Sequence, residues 1–127
     1  MILGVIDDLM FSSRVDVAAR GAGVGFRKIG SLAEARQAAE EADAAGGRIA
    51  LVLIDLGWRS GDALALIREL RAEPALTETP LIAFGSHVQA ERLDSARQAG
   101  CEMALPNSAL AARLPEILAG CARRRSE

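Results

Sequence analysis

Ile49-Ala50-Leu51-Val52-Leu53-Ile54-Asp55 is an unbroken apolar run that stops on a carboxylate. A strand with one wet face alternates polar and apolar residues. A run without alternation is expected at the centre of a sheet covered on both sides. Upstream, Ile2-Leu3-Gly4-Val5-Ile6 repeats the pattern and stops on two acids, Asp7 and Asp8. Downstream, Pro80 introduces a strand over Leu81 to Phe84, and a short strand from Met103 to Leu105 stops at Pro106. Gly25 to Ile29 reads as one further short strand between the two acid-terminated runs.

Helical patterns fill the intervals. The first is expected from about Phe11 to Ala19 and is stopped by Gly21, Gly23 and Gly25. Ser31-Leu32-Ala33-Glu34 spells a capping box, in which the serine takes an orphan amide and the glutamate reaches back. The helix it opens runs to about Ala45, with Leu32, Ala35, Ala38, Ala39 and Ala42 on one face. Gly61-Asp62 opens a third helix with the stripe Ala63, Leu66, Ile67 and Leu70, ended by Pro74. A fourth is expected over Gln89 to Ala99, and a fifth over about Ala109 to Ala119. Pro115 lacks an amide proton, so the first turn of the fifth helix is expected to be irregular or separate.

Five strands alternating with five helices predict a three-layer, doubly wound (βα)5 α/β sandwich with strand order 2-1-3-4-5. In such sheets ligands bind beyond the carboxyl ends of the strands, where the order reverses. Strands one and three are neighbours there, so Asp7, Asp8 and Asp55 are expected to share one crevice. Like charges brought together repel unless something positive sits among them. The crevice therefore reads as a divalent-metal pocket, a phosphoryl-accepting carboxylate, or acids that merely cap helix N-termini.

Composition bounds the alternatives. At 127 residues, half of them hydrophobic, one self-sufficient domain is expected over residues 1–120, with a basic tail over 121–127 that carries Arg123, Arg124 and Arg125. A net charge of −2 gives no footprint for nucleic acid. No run reaches the roughly 18–20 apolar residues that span a bilayer, and the first apolar stretch has no basic segment before it. Cys101 and Cys121 lack CxxC spacing, so reduced thiols and a cytoplasmic setting are expected. His87 is the sole histidine, which removes multi-histidine metal sites, and Ser86-His87 are adjacent residues that rarely orient as a catalytic dyad. Gly21-Ala22-Gly23-Val24-Gly25 follows a helix and misses the GxGxxG spacing, so a nucleotide cofactor site is disfavoured. No catalytic set emerges, and the chain is not expected to be an enzyme.

Taken in order and at their spacing, four stretches resemble the receiver domain of two-component response regulators. They are Val5-Ile6-Asp7-Asp8, Leu53-Ile54-Asp55 with Asp62-Ala63 beyond it, Thr79-Pro80-Leu81-Ile82, and Gln98-Ala99-Gly100. The resemblance covers essentially the whole chain and implies a flavodoxin-like fold. It also implies that Asp55 stands at the phosphoacceptor position. Mg2+ would be held by Asp8, Asp55 and the carbonyl of Gly57, with Asp7 acting through water. A hydroxyl after strand four and a lysine after strand five complete the family's phosphate cradle, and an aromatic on strand five reports phosphorylation to the surface.

This chain departs from the pattern at each of those last positions. Gly85 stands where the hydroxyl belongs, with Ser86 next to it, and Asn107 stands where the lysine belongs. Lys28 is the only lysine in the chain, so no realignment supplies one. Ala104 replaces the aromatic, Arg59 the proline after the phosphoacceptor, and Ala63 the glycine after Asp62. Losing one charge-stabilising donor costs about 3–4 kcal/mol of transition-state stabilisation. The sequence therefore predicts a pseudo-receiver that works by protein–protein interaction without phosphorylation. The alternative is a phospho-accepting single-domain regulator in a phosphorelay, with Ser86 or Asn107 supplying weak hydrogen bonds. Trp58 and Arg59 are expected at the pocket rim, where Arg59 is also a candidate internal cation in place of a metal. A histidine kinase or another signalling protein is the expected partner. A homodimer is also expected, through a face of helix four, strand five and helix five that includes Leu93, Ala96, Arg97, Ala104 and Arg113.

Overall fold

The computed structural model describes residues 1–126, with side chains through Ala122. Five parallel strands form one sheet: β1 (Ile2–Val5), β2 (Phe26–Lys28), β3 (Leu51–Asp55), β4 (Leu81–Gly85) and β5 (Met103–Pro106). Their order is β2-β1-β3-β4-β5, with Val5 opposite Ile54 and Asp55 opposite Phe84. The helices are α1 (Leu9–Gly21), α2 (Leu32–Ala44), α3 (Ala63–Ala72), α4 (Ala90–Ala99) and α5 (Asn107–Ser126), and a single 3-10 turn spans Pro74–Leu76.

The unalternated apolar runs have the expected consequence. Successive side chains of a strand point to opposite faces. Leu51 and Leu53 therefore meet Val15 of α1 and Leu110 and Leu114 of α5. Val52 and Ile54 meet Ala35 of α2, Leu66 and Ile67 of α3, and Leu93 of α4. Both faces are dry, and each buried leucine or isoleucine contributes about 1.5–3 kcal/mol. The Ala63, Leu66, Ile67 and Leu70 stripe is buried as a unit on α3.

Three local expectations are corrected. α1 begins at Leu9 rather than Phe11, because Asp8 serves as its N-cap. The Ser31 hydroxyl accepts from the Glu34 amide at 3.1 Å, but the glutamate reaches back to the amide of Gly30 at 3.3 Å, one residue beyond the Ser31 amide of a reciprocal box. α5 is one continuous helix through Pro115. An interior proline costs about 3 kcal/mol, whereas burial of Leu110, Leu114, Leu118 and Cys121 along that helix contributes several times as much. The helix runs beyond the expected end at Ala119, and Cys121, assigned from sequence to the tail, is buried against the sheet. The side chains of Arg123, Arg124 and Arg125 lie outside the described residues.

The glycine-rich stretch after α1 is a helix stop. Gly23 adopts φ 74°, a left-handed conformation that glycine takes without steric cost, and the Val24 amide turns back to the Ala19 carbonyl at 2.9 Å.

Candidate functional site

β1 and β3 run side by side and end together, so the chain segments carrying Asp7, Asp8 and Asp55 leave the sheet at one edge. At that edge the three carboxylates are engaged by different protein donors. Each faces backbone amides of its own. Asp8 Oδ1 accepts from the amides of Met10 (2.9 Å) and Phe11 (3.1 Å), satisfying two orphan donors at the start of α1. Asp7 turns across to the loop after β3. It accepts from the amides of Arg59 (3.0 Å) and Ser60 (3.2 Å) and from the Ser60 hydroxyl (3.0 Å). Asp55 is half-buried and accepts from the Gly57 amide at 2.8 Å.

The electrostatics follow the geometry. Desolvation at Asp7 favours the neutral acid, but the Arg59 amide, the Ser60 hydroxyl and amide, and the Trp58 side chain outweigh it. Together they hold the carboxyl below its ordinary value. Asp55 moves the other way. Burial raises its pKa, the Gly57 amide offsets part of this, and the charges of Asp8 and Asp7 push it up further. The charges of Asp7 and Asp8 thus act on Asp55 across the end of the sheet.

Hard carboxylate oxygens are the right donors for Mg2+, yet the orientations present are not a ligand shell. Among the described residues, no three His, Cys, Asp or Glu side chains are gathered so as to hold a metal ion. Gly57 presents its amide to Oδ1 of Asp55. The helix cap engages Oδ1 of Asp8, and a carboxylate has a second oxygen, so capping does not by itself bar a cation. The donor chemistry fits a hard cation.

The positions meant to complete a cradle are occupied differently. Gly85 ends β4 and is buried, and a Cβ added there would lie 3.3 Å from the Cβ of Leu56. A hydroxyl-bearing residue at 85 thus needs Leu56 to yield. Ser86 does not swing toward Asp55; its hydroxyl accepts from the Val88 amide at 3.4 Å within its own loop. Asn107 is exposed at the start of α5, and Ala104 is buried in the layer beneath α4. Trp58 is half-buried at the rim, with its ring against Gly30 and Gly61. Arg59 offers its backbone, not its guanidinium, to Asp7, and the side chain is exposed without an ion pair among the described residues.

Other candidates resolve into packing or surface. His87 is exposed in the loop before α4. Cys101 is buried, and burial, aided by the Glu102 charge, pushes its thiol up to about 12, which makes it a packing residue. The expected dimer face is corrected in part. Leu93, Ala96 and Ala104 point into the core, leaving Arg97 and Arg113 exposed. Two residues escaped the sequence reading. Ser60 receives Asp7 from 53 positions away, and Arg92 donates to the Leu56 carbonyl at 2.8 Å. No local spacing signals either contact.

No family model matches the chain, and no curated protein does. Solved structures do. The signal receiver domain of a DNA-binding response regulator from Colwellia psychrerythraea 34H superposes with a TM-score of 0.70 at 14% identity, over 92% of this chain and 96% of that one. A putative response regulator from Chloroflexus aurantiacus gives 0.69 at 22% identity, over 93% and 96%. The Mn2+-bound form of the response regulator Rcp1 gives 0.64 at 19% identity, over 94% and 88%. The fold is that of a response-regulator receiver domain, α/β and flavodoxin-like. Among the described residues, no helix is long and apolar enough to cross a membrane.

Proposed function

We propose that this chain is an atypical receiver-like signalling module that acts by binding other proteins without receiving a phosphoryl group. The observation that carries the reading is the separate engagement of Asp7, Asp8 and Asp55 by backbone amides, with Leu56 pressed close to where the Cβ of a side chain at position 85 would lie. In-line transfer to a carboxylate requires positive charge on the equatorial oxygens as they develop negative charge. Here the only lysine, Lys28, lies on β2, at the far edge of the sheet from β5. The module is not an enzyme in this reading. It works in the cytoplasm and passes its signal through contact with a histidine kinase or another signalling protein, or with a second copy across the α4-β5-α5 side.

The alternative keeps Asp55 as a phosphoacceptor with Mg2+. It is favoured by the mutual proximity of the acids and by the Mn2+ bound in Rcp1. Trp58 separates the two. Its fluorescence is expected to stay constant on addition of millimolar Mg2+ with beryllofluoride. A saturable change that disappears in Asp55→Asn would favour the alternative.

A further inference from the structure

We propose that α4 is fastened to the sheet by a two-armed guanidinium clamp, Arg92 on the Leu56 carbonyl and Arg97 on the Ala104 carbonyl, which fixes the helix independently of the charge on Asp55. The apolar stripe of α4 is narrow. The helix buries only Leu93 and Ala96, and its N-cap residue Gln89 makes no side-chain hydrogen bond to the helix amides. The neighbouring α3 buries four apolar side chains and is capped by Asp62.

The arms lie on either side of that narrow stripe. By helix periodicity Arg92 and Arg97 are about 140° apart around the axis, with Leu93 and Ala96 between them. Arg92 donates to the Leu56 carbonyl at 2.8 Å and Arg97 to the Ala104 carbonyl at 2.6 Å. Asp94 holds the head of Arg97 at 2.6 Å. One arm thus grips the residue after Asp55 at the end of β3, and the other grips the edge strand β5. Both acceptors are backbone carbonyls, which neither titrate nor accept a phosphoryl group. The clamp therefore replaces a side-chain relay with a fixed mount, and the outer surface of α4 stays in one place.

Hydrogen exchange on the full chain tests this. Arg92→Met and Arg97→Met keep an apolar stem and lose the donor. Each is expected to speed exchange of the α4 amides by about tenfold or more, while the β3 amides keep wild-type rates. Unchanged α4 protection in both variants would overturn the clamp, as would α4 and β3 amides accelerating together. In the wild type, Mg2+ with beryllofluoride is expected to leave α4 exchange unaltered. An altered α4 rate there would overturn its independence from Asp55. The clamp and the functional reading fail separately, because a phosphoryl adduct on Asp55 contradicts the reading and leaves the arginine arms untouched.

Discussion

The carboxylate of Asp7 accepts from both the amide and the hydroxyl of Ser60, at 3.2 and 3.0 Å, and so ties the end of β1 to the loop that follows β3. The acid thus serves as a strut between the two strand ends. Ser60→Ala removes the hydroxyl and leaves the amides. The Asp7 carboxyl is then expected to titrate closer to its ordinary value, since one of the groups holding it down is gone. Carbon-detected NMR titration of Asp7 checks the direction, and an unmoved midpoint would deny the strut.

Asp8 carries the start of α1. Asp8→Ala leaves the Met10 and Phe11 amides without a partner and is expected to cost about 1 kcal/mol in urea unfolding. Asp8→Ser is expected to recover most of that loss, because capping needs an acceptor and not a charge. Equal losses in both variants would point to a charge role instead.

Asp55 gives the opposite pH signature from Asp7. A carboxyl whose folded pKa is raised contributes stability that is fully present below its unfolded value, near 3.8, and lost as pH rises through the folded value. Asp55→Asn keeps an acceptor for the Gly57 amide and removes the penalised charge. Its melting temperature is expected to exceed that of the wild type at pH 7, with the difference shrinking toward pH 4. For Asp7, whose pKa is lowered, stability is present above about 3.8 and lost as pH falls through the folded value.

Rebuilding the cradle is a test by gain. Gly85→Thr with Asn107→Lys restores a hydroxyl and an ammonium, and Leu56→Ala removes the Cδ1 and Cγ contacts at 3.5 and 3.8 Å, leaving only the Cβ contact at 3.3 Å to be accommodated. The triple variant is expected to take a phosphoryl group from acetyl phosphate at least a hundredfold faster than the wild type. Equal rates would locate the block elsewhere.

How much of this was legible in the sequence depends on range. The Ile49–Ile54 run fixed β3 at the centre because absence of alternation is a local signal with one physical meaning. The Ala63–Leu70 stripe and the stop at Gly23 were legible for the same reason. The placement of Asp7, Asp8 and Asp55 at one edge also followed, since strand ends and strand order determine it. Their hydrogen bonds did not. Asp8 had two roles open to it, ligand or cap, and the cap is formed because the Met10 and Phe11 amides need an acceptor whether or not a metal is present. Ser60 and Arg92 act on residues 53 and 36 positions away, and nothing in their neighbourhoods marks them. Pro115 misled because its local cost was read without the burial that outweighs it.

The most direct measurement is intact mass after incubation with acetyl phosphate and Mg2+. The account predicts an unmodified chain for the wild type and for Asp55→Asn alike. A substantial phosphoryl adduct on the wild type that is lost in Asp55→Asn would contradict it.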